Sequence, residues 1–339
     1  MPKCIFCLQE KERLTDEHVF PAVLGGGTFV LKNSVCVQCN NSFSKFEQPL
    51  AMELSPIRLL LKIPDRYGAL PQVAATIKTS DNEYKGRVER DGQVKLKPIV
   101  REVEAINGGR EIVYQFPTDK QREKLRQEAG EKGFQLSETG PGDPQQGEVH
   151  VGGDVKLIGS AEGLRTTSKI AYVGLAQCAS ATLATSDSFD EVRAYVCNGT
   201  GEPTSRLFVH KRFLNSVQQG PHQHSLIIAG RNDKRRVDAI VRLFGALCYF
   251  VTLSDHYAGA DFFCTLVYDA QRGEVNGFLQ TRVDAEILQT EDVRTSDETI
   301  WDDLVASGES FCNFLNDEIR SYLKRTQGQR GGDDGRSCE

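Results

Sequence analysis

The chain has 339 residues, 39% of them hydrophobic and 26% charged, with a formal net charge of −6 at pH 7. That balance is ordinary for a soluble chain of two or three domains and argues against a protein held on DNA by bulk positive charge, although a local basic stripe would be enough for contact. No apolar run reaches the roughly 18 residues needed to span a bilayer, so no membrane partner is expected. A cysteine motif begins at the fourth residue and leaves no room for a signal peptide, so a cytoplasmic, reducing setting is expected.

Cys4-Ile5-Phe6-Cys7 and Cys36-Val37-Gln38-Cys39 are two C-x-x-C pairs. Each forms a tight knuckle that aims two thiolates at one point. Together they supply the tetrahedral sulfur set that suits structural zinc, the alternatives being iron or no metal. The long gap between the pairs lets the metal close a loop large enough to carry other residues. Residues 1–55 therefore read as one small module, with Phe20, Val23, Val30 and Leu31 as its core. So small a unit buries too little to fold unaided, and the metal would stabilise it directly. Of the other six cysteines, Cys178, Cys197, Cys248, Cys264 and Cys312 read as buried free thiols, and Cys338 as an exposed one.

Phe43, Phe46, Leu50 and Leu54 recur at helical spacing, so Ser42–Leu61 is expected to be a helix, with Pro56 as a break point. From residue 69 to 117 the period falls to two. Strands are expected at 73–77, 84–88, 94–97 and 112–116, with turns at Asp91-Gly92 and Asn107-Gly108. A charged helix follows over 118–132, then a linker at 141–147. Leu164–Thr185 is the strongest helix of the second half, its small residues permitting close packing. Residues 189–197 fit helix or strand. Strands are expected at 206–209, 225–229, 242–253 and 261–268, and a helix over 291–324. Residues 327–339 are Gly-rich, polar and expected to be disordered. The fold class is α+β: a small zinc-bound module, then a larger mixed region over 56–326 with a subdivision near 141–147.

Between and beside the two knuckles lie Glu17-His18, Pro21, Gly25-Gly26-Gly27, Asn33 and Asn40-Asn41. This constellation resembles the HNH (ββα-metal) endonuclease family over residues 1 to about 50. The resemblance implies a ββα module with a structural zinc and a metal-dependent DNA endonuclease, often one serving bacterial or phage defence. It implies that His18 is the general base for water, that Glu17 and Asn40 hold a catalytic Mg²⁺ or Mn²⁺, and that Asn33 braces the loop carrying the base. Asn41 replaces Asn40 as ligand if the helix starts one residue later. The sequence departs from commoner family patterns at Asn40, where His is frequent, and at Phe43, where Lys is frequent; Lys45 or Lys32 would then meet phosphate.

Each residue also has a plainer use. His18 could pack beside the zinc site, Glu17 could be a surface charge, Asn33 a turn residue, and Asn40 and Asn41 helix caps. Beyond the module, the run from Arg231 through Lys234, Arg235 and Arg236 is either a solvated charged face or a DNA-binding surface. His222 and His224 stand nearby as a weak metal pair. The larger region is expected to bind DNA, or to sense an effector, a protein partner or a second copy of the chain. The rival class is a non-catalytic zinc-knuckle module that binds nucleic acid or protein, which would have no need of the Glu17-His18 pair.

Overall fold

The computed structural model of the chain describes residues 1–78, 83–91, 93–97, 99–104, 110–115, 119–131, 148–151, 160–207, 222–245 and 247–275. They fall into two compact units, one of Met1–Gly68 with Val155–Glu339 and one of Ala69–Asp154. The helix expected at 291–324, the linker at 141–147, the tail, Cys312 and Cys338 lie outside the described residues.

In chain order the first unit opens with β1 (Thr15–His18), β2 (Val30–Val35), α1 (Val37–Glu53) and α2 (Ser55–Leu60). The second unit holds β3 (Val73–Lys78), β4 (Glu83–Val88), β5 (Val94–Leu96), β6 (Ile99–Glu104), β7 (Arg110–Gln115), α3 (Asp119–Glu131) and β8 (Glu148–Val151). The chain then returns to the first unit with α4 (Ala161–Cys178), α5 (Ala181–Ala184), α6 (Asp190–Asn198), β9 (Ser205–Leu207), β10 (Gln223–Arg231), β11 (Arg236–Leu243), β12 (Leu247–Ser254), β13 (Phe262–Asp269) and β14 (Glu274–Val275). The fold is α+β, with a ββα arrangement at its start.

In the second unit, β5-β4-β3-β8 form an antiparallel sheet and β6 pairs with β7. Val73, Ala75 and Val88 are buried there. β6 and β8 were not expected from the sequence, and β7 pairs with β6 rather than joining the four-stranded sheet.

In the first unit a six-stranded antiparallel sheet runs β14-β13-β10-β11-β12-β9. Ser160 caps α4 by accepting from the Gly163 N–H at 3.1 Å. The helix lies across β9 to β12 and also packs on α1 and α6. Gly174 permits this approach: a Cβ there would stand 1.9 Å from Leu226 Cδ2 on β10. One hydrophobic core joins the module's Cys4, Ile5, Phe20, Phe43 and Leu50 to Ile170, Tyr172 and Val173 of α4 and to Leu226, Val241 and Tyr249 of the sheet. Each large apolar side chain so buried contributes on the order of 1.5–3 kcal/mol. The Tyr172 hydroxyl donates to the Ile5 carbonyl at 2.7 Å, which ties α4 to the first cysteine knuckle.

Three expectations are corrected. The helix expected from Ser42 begins at Val37, so Asn40 and Asn41 lie in its first turns. It contains Pro49 and ends at Glu53, and α2 restarts with Pro56 in its first turn, where a missing N–H costs nothing. The single strand expected over 242–253 is the end of β11, a turn with positive φ at Phe244 and Gly245, and β12. His224 is no metal ligand but a fully buried structural residue. Its Nδ1 accepts from the Phe244 N–H at 3.1 Å, so the proton of the neutral ring sits on Nε2, which bonds the Leu24 carbonyl at 3.0 Å.

A second proton on His224 would oppose the Phe244 donor. Burial lowers its pKa from 6.5 to about 4, and Arg58 adds to this against the pull of the Leu24 carbonyl. Between these values the unfolded chain binds more protons than the folded one. Stability should therefore be full above about pH 6.5 and fall toward pH 4, by up to about 3 kcal/mol from this group. Denaturant midpoints measured from pH 7 to pH 4.5 should decline in wild type and decline less in His224→Gln. Equal slopes would show that His224 is not the group responsible.

Candidate active site

The four cysteine sulfurs lie within 4.8 Å of one another. Cys4 and Cys7 sit in the turn closed by the Cys4 N–H to Gln9 carbonyl bond, while Cys36 caps α1 and Cys39 follows in its first turn. Zn–S bonds of about 2.3 Å in a tetrahedron place sulfurs roughly 3.8 Å apart. Cys7 and Cys36 stand at 3.8 Å. The Cys36 N–H donates to Cys4 Sγ at 3.3 Å, and the helix N-terminus also favours thiolate. As thiols the group is crowded: the Cys39 hydrogen bond and then burial push Cys4 up to about 12. A divalent cation is what makes four thiolates stable together, and the donor set fits zinc with no open position for water.

On the hairpin, Thr15 pairs with Val35, Glu17 with Leu31 and His18 with Val30. The register slips between Thr15 and Glu17, so residues 32–34 of β2 bulge opposite Asp16, with Lys32 and Asn33 exposed and Ser34 buried. Asn33 takes φ +44° at the bulge, a conformation Asn tolerates, and its N–H donates to Asp16 Oδ1 at 3.0 Å. Lys32 also bonds Asp16, at 2.7 Å, so both bind the outward face of β1. Arg13, Leu14, Thr15, Asp16, Asn33 and Val37 line an open cleft of about 620 Å³.

Asn40 projects from the first turns of α1 onto β1. Its Nδ2 donates to Thr15 Oγ1 at 3.1 Å and to the Asp16 carbonyl at 3.0 Å. These bonds orient the carboxamide and leave Oδ1 as the atom able to take a hard cation. Asn41 is exposed, and its main-chain carbonyl accepts from Ser44.

His18 is half-buried, and its Nδ1 is enclosed with no hydrogen-bond partner. Burial lowers its pKa below the ordinary range; Lys169 and Arg66 add to this, and Glu47 and a hydrogen bond to the Gly26 main chain oppose it. The ring is therefore neutral near pH 7, and no described residue bonds Nδ1. The loop that follows is held tightly. A Cβ on Gly26 would stand 2.0 Å from the Phe20 carbonyl oxygen, and the Tyr268 hydroxyl donates to the Gly25 carbonyl at 2.9 Å.

Glu17 points inward and is 3% exposed. One carboxylate oxygen, Oε1, bonds the ammonium of Lys169, and Oε2 is buried without a partner. Lys169 Nζ also bonds Glu47 at 2.7 Å and the His18 carbonyl at 3.2 Å. Burial opposes the Lys169 charge, but Glu47 and Glu17 outweigh it and raise its pKa. Sequence reading missed Lys169 and Glu47. The available signal for Lys169 was a lone charge at the head of the apolar run Ile170-Ala171-Tyr172-Val173.

The basic run is the turn between β10 and β11. Arg236 bonds Asp238 at 3.1 Å and approaches Asp255 at 3.8 Å, and Arg231 lies 3.7 Å from Asp238. Lys234 and Arg235 are exposed at the tip. His224 abuts the motif loop seven residues back along β10, which puts Arg231 roughly 24 Å away along the strand. The structure therefore brings Glu17, His18, Asn33 and Asn40 onto one hairpin-and-helix unit and leaves the basic turn apart from them.

Among the described residues no helix is long and apolar enough to cross a membrane. Residues 4–55 match the family model described as HNH endonuclease. No curated protein and no solved structure matches the chain.

Proposed function

With residues 4–55 forming an HNH endonuclease module, we propose that the protein hydrolyses phosphodiester bonds of DNA in a metal-dependent reaction. The observation that carries this is His18, a neutral imidazole whose enclosed Nδ1 has no hydrogen-bond partner among the described residues. A neutral imidazole can take a proton from water as general base once bound DNA and the ion open that nitrogen to water. The orphaned Glu17 Oε2 and the oriented Asn40 carboxamide offer hard oxygens that suit Mg²⁺ or Mn²⁺, whereas Asn41 is exposed. The ion would supply charge neutralisation on the phosphate and at the leaving oxygen. Asn33 holds the bulge against Asp16 and positions β1 without needing to touch substrate. The zinc has a structural role only.

DNA affinity would come from outside the module; Lys234 and Arg235 are exposed at the tip of the basic run, and Arg231 and Arg236 face Asp238. Gating by an effector, a protein partner or a second copy would act through the core that the module shares with α4 and the sheet. A role in defence against foreign DNA rests on family resemblance alone. Purified protein should nick supercoiled plasmid with Mg²⁺ or Mn²⁺ and stop when EDTA is added. Binding without cleavage under every ion condition would instead favour the zinc-knuckle binding module.

A further inference from the structure

We propose that Lys169 is a positioning residue of the nuclease site, and that its ammonium, delivered by α4 from outside the family-matched segment, fixes the Glu17-His18 dipeptide. For its catalytic consequence this rests on the endonuclease reading above. Lys169 is fully buried. Its Nζ donates to Glu17 Oε1, Glu47 Oε1 and the His18 carbonyl, which uses all three of its hydrogens. Nζ also sits 5.3 Å from the centre of the Phe43 ring. One cation thus holds the side chain of Glu17 and the main chain of His18. The His18 contact fixes the peptide plane that leads into Val19, and so the direction from which the imidazole projects.

Packing alone gives no reason for an ammonium here. Taking it out of water costs several kcal/mol, and a Met or Leu would fill the same space without that cost. Buried ion clusters are weak sources of stability, and in some proteins they serve to specify one geometry. The geometry specified here is that of the two motif residues, and a displacement of about 1 Å at a reacting group can cost on the order of a hundredfold in rate. The bond also spans 152 residues, from β1 to α4. The catalytic strand is therefore set by the larger region of the chain.

The test uses the full chain and three variants. Lys169→Met combined with Glu47→Gln removes one charge of each sign and leaves the net charge of the cluster unchanged. Glu47→Gln alone keeps the Lys169 bonds to Glu17 and His18. Lys169→Arg keeps the cation. In the double variant, zinc content should be retained, amide exchange of residues 14–19 should rise about tenfold, and kcat should fall about tenfold or more with KM for plasmid unchanged. Glu47→Gln should stay within about threefold of wild type in both readouts, and Lys169→Arg should recover part of what the double variant loses. A folded, zinc-loaded double variant with wild-type exchange and wild-type kcat would overturn the inference. So would a Glu47→Gln loss as large as that of a folded double variant; if the double variant does not fold, Lys169→Arg, whose guanidinium cannot reproduce all three ammonium bonds, should lose more in both readouts than Glu47→Gln, and the reverse order would overturn the inference. If the wild type itself does not cut DNA, the endonuclease reading fails, and the exchange measurements still decide whether Lys169 holds the strand.

Discussion

His18→Ala should lower plasmid cleavage by about two orders of magnitude or more while leaving zinc content and fold intact. The rate should fall because the substitution removes the only group on the hairpin that combines a neutral ring near pH 7 with an unused nitrogen. The fold should persist because no described residue bonds that nitrogen, the ring's bond to the Gly26 main chain is a single contact, and the anchors of the segment lie elsewhere: Lys169 on the His18 carbonyl, and the Phe29 carbonyl on the Val19 N–H. Asn40→Ala is the useful contrast. It should raise the Mg²⁺ concentration needed for half-maximal rate by about tenfold rather than abolish the reaction, since an oxygen ligand is lost and the base remains. Cleavage by His18→Ala at the wild-type rate would place the base elsewhere.

Cys39→Ser should reduce zinc from about one ion per chain to none and destabilise the whole first unit. Binding free energy at such a site is folding free energy, on the order of 10 kcal/mol for structural zinc. The damage should spread because the knuckles are not a separate body. Cys4 and Ile5 belong to the same core as α4 and the six-stranded sheet, and Tyr172 bonds the Ile5 carbonyl. A fall of about 10 °C or more in the thermal midpoint is expected, with loss of near-ultraviolet signal from the buried aromatic cluster of Phe6, Phe43 and Tyr172. Elemental analysis of wild type that finds iron, or no metal, would remove the premise for this effect.

What the sequence made legible was local. Cysteine spacing announced the metal site because each knuckle is four residues long. The hairpin was implied by the family resemblance, and α1 by the spacing of Phe43, Phe46, Leu50 and Leu54, although it starts five residues earlier than that spacing suggested. α4 was visible from its apolar face, although its Ser160 cap lies just outside the expected span. The misses have physical reasons. Phe244 and Gly245 turn the chain inside a continuous apolar run, where no polar residue marks the reversal, so two strands read as one. Lys169 to Glu17 and His224 to Leu24 join residues 152 and 200 apart, and no periodicity encodes such pairings. The basic run is a different case. Arg236 and Asp238 are two residues apart, and on a strand that places them on one face, so their pairing was readable from a period of two.

Chemical rescue shows whether an imidazole nitrogen at position 18 drives the chemistry. His18→Gly, loaded with zinc and supplied with Mg²⁺, should be nearly inactive on supercoiled plasmid. Its rate should then rise in proportion to added imidazole and follow the concentration of the free base as pH is varied. A His18→Gly protein that cuts at the wild-type rate without imidazole would contradict the account.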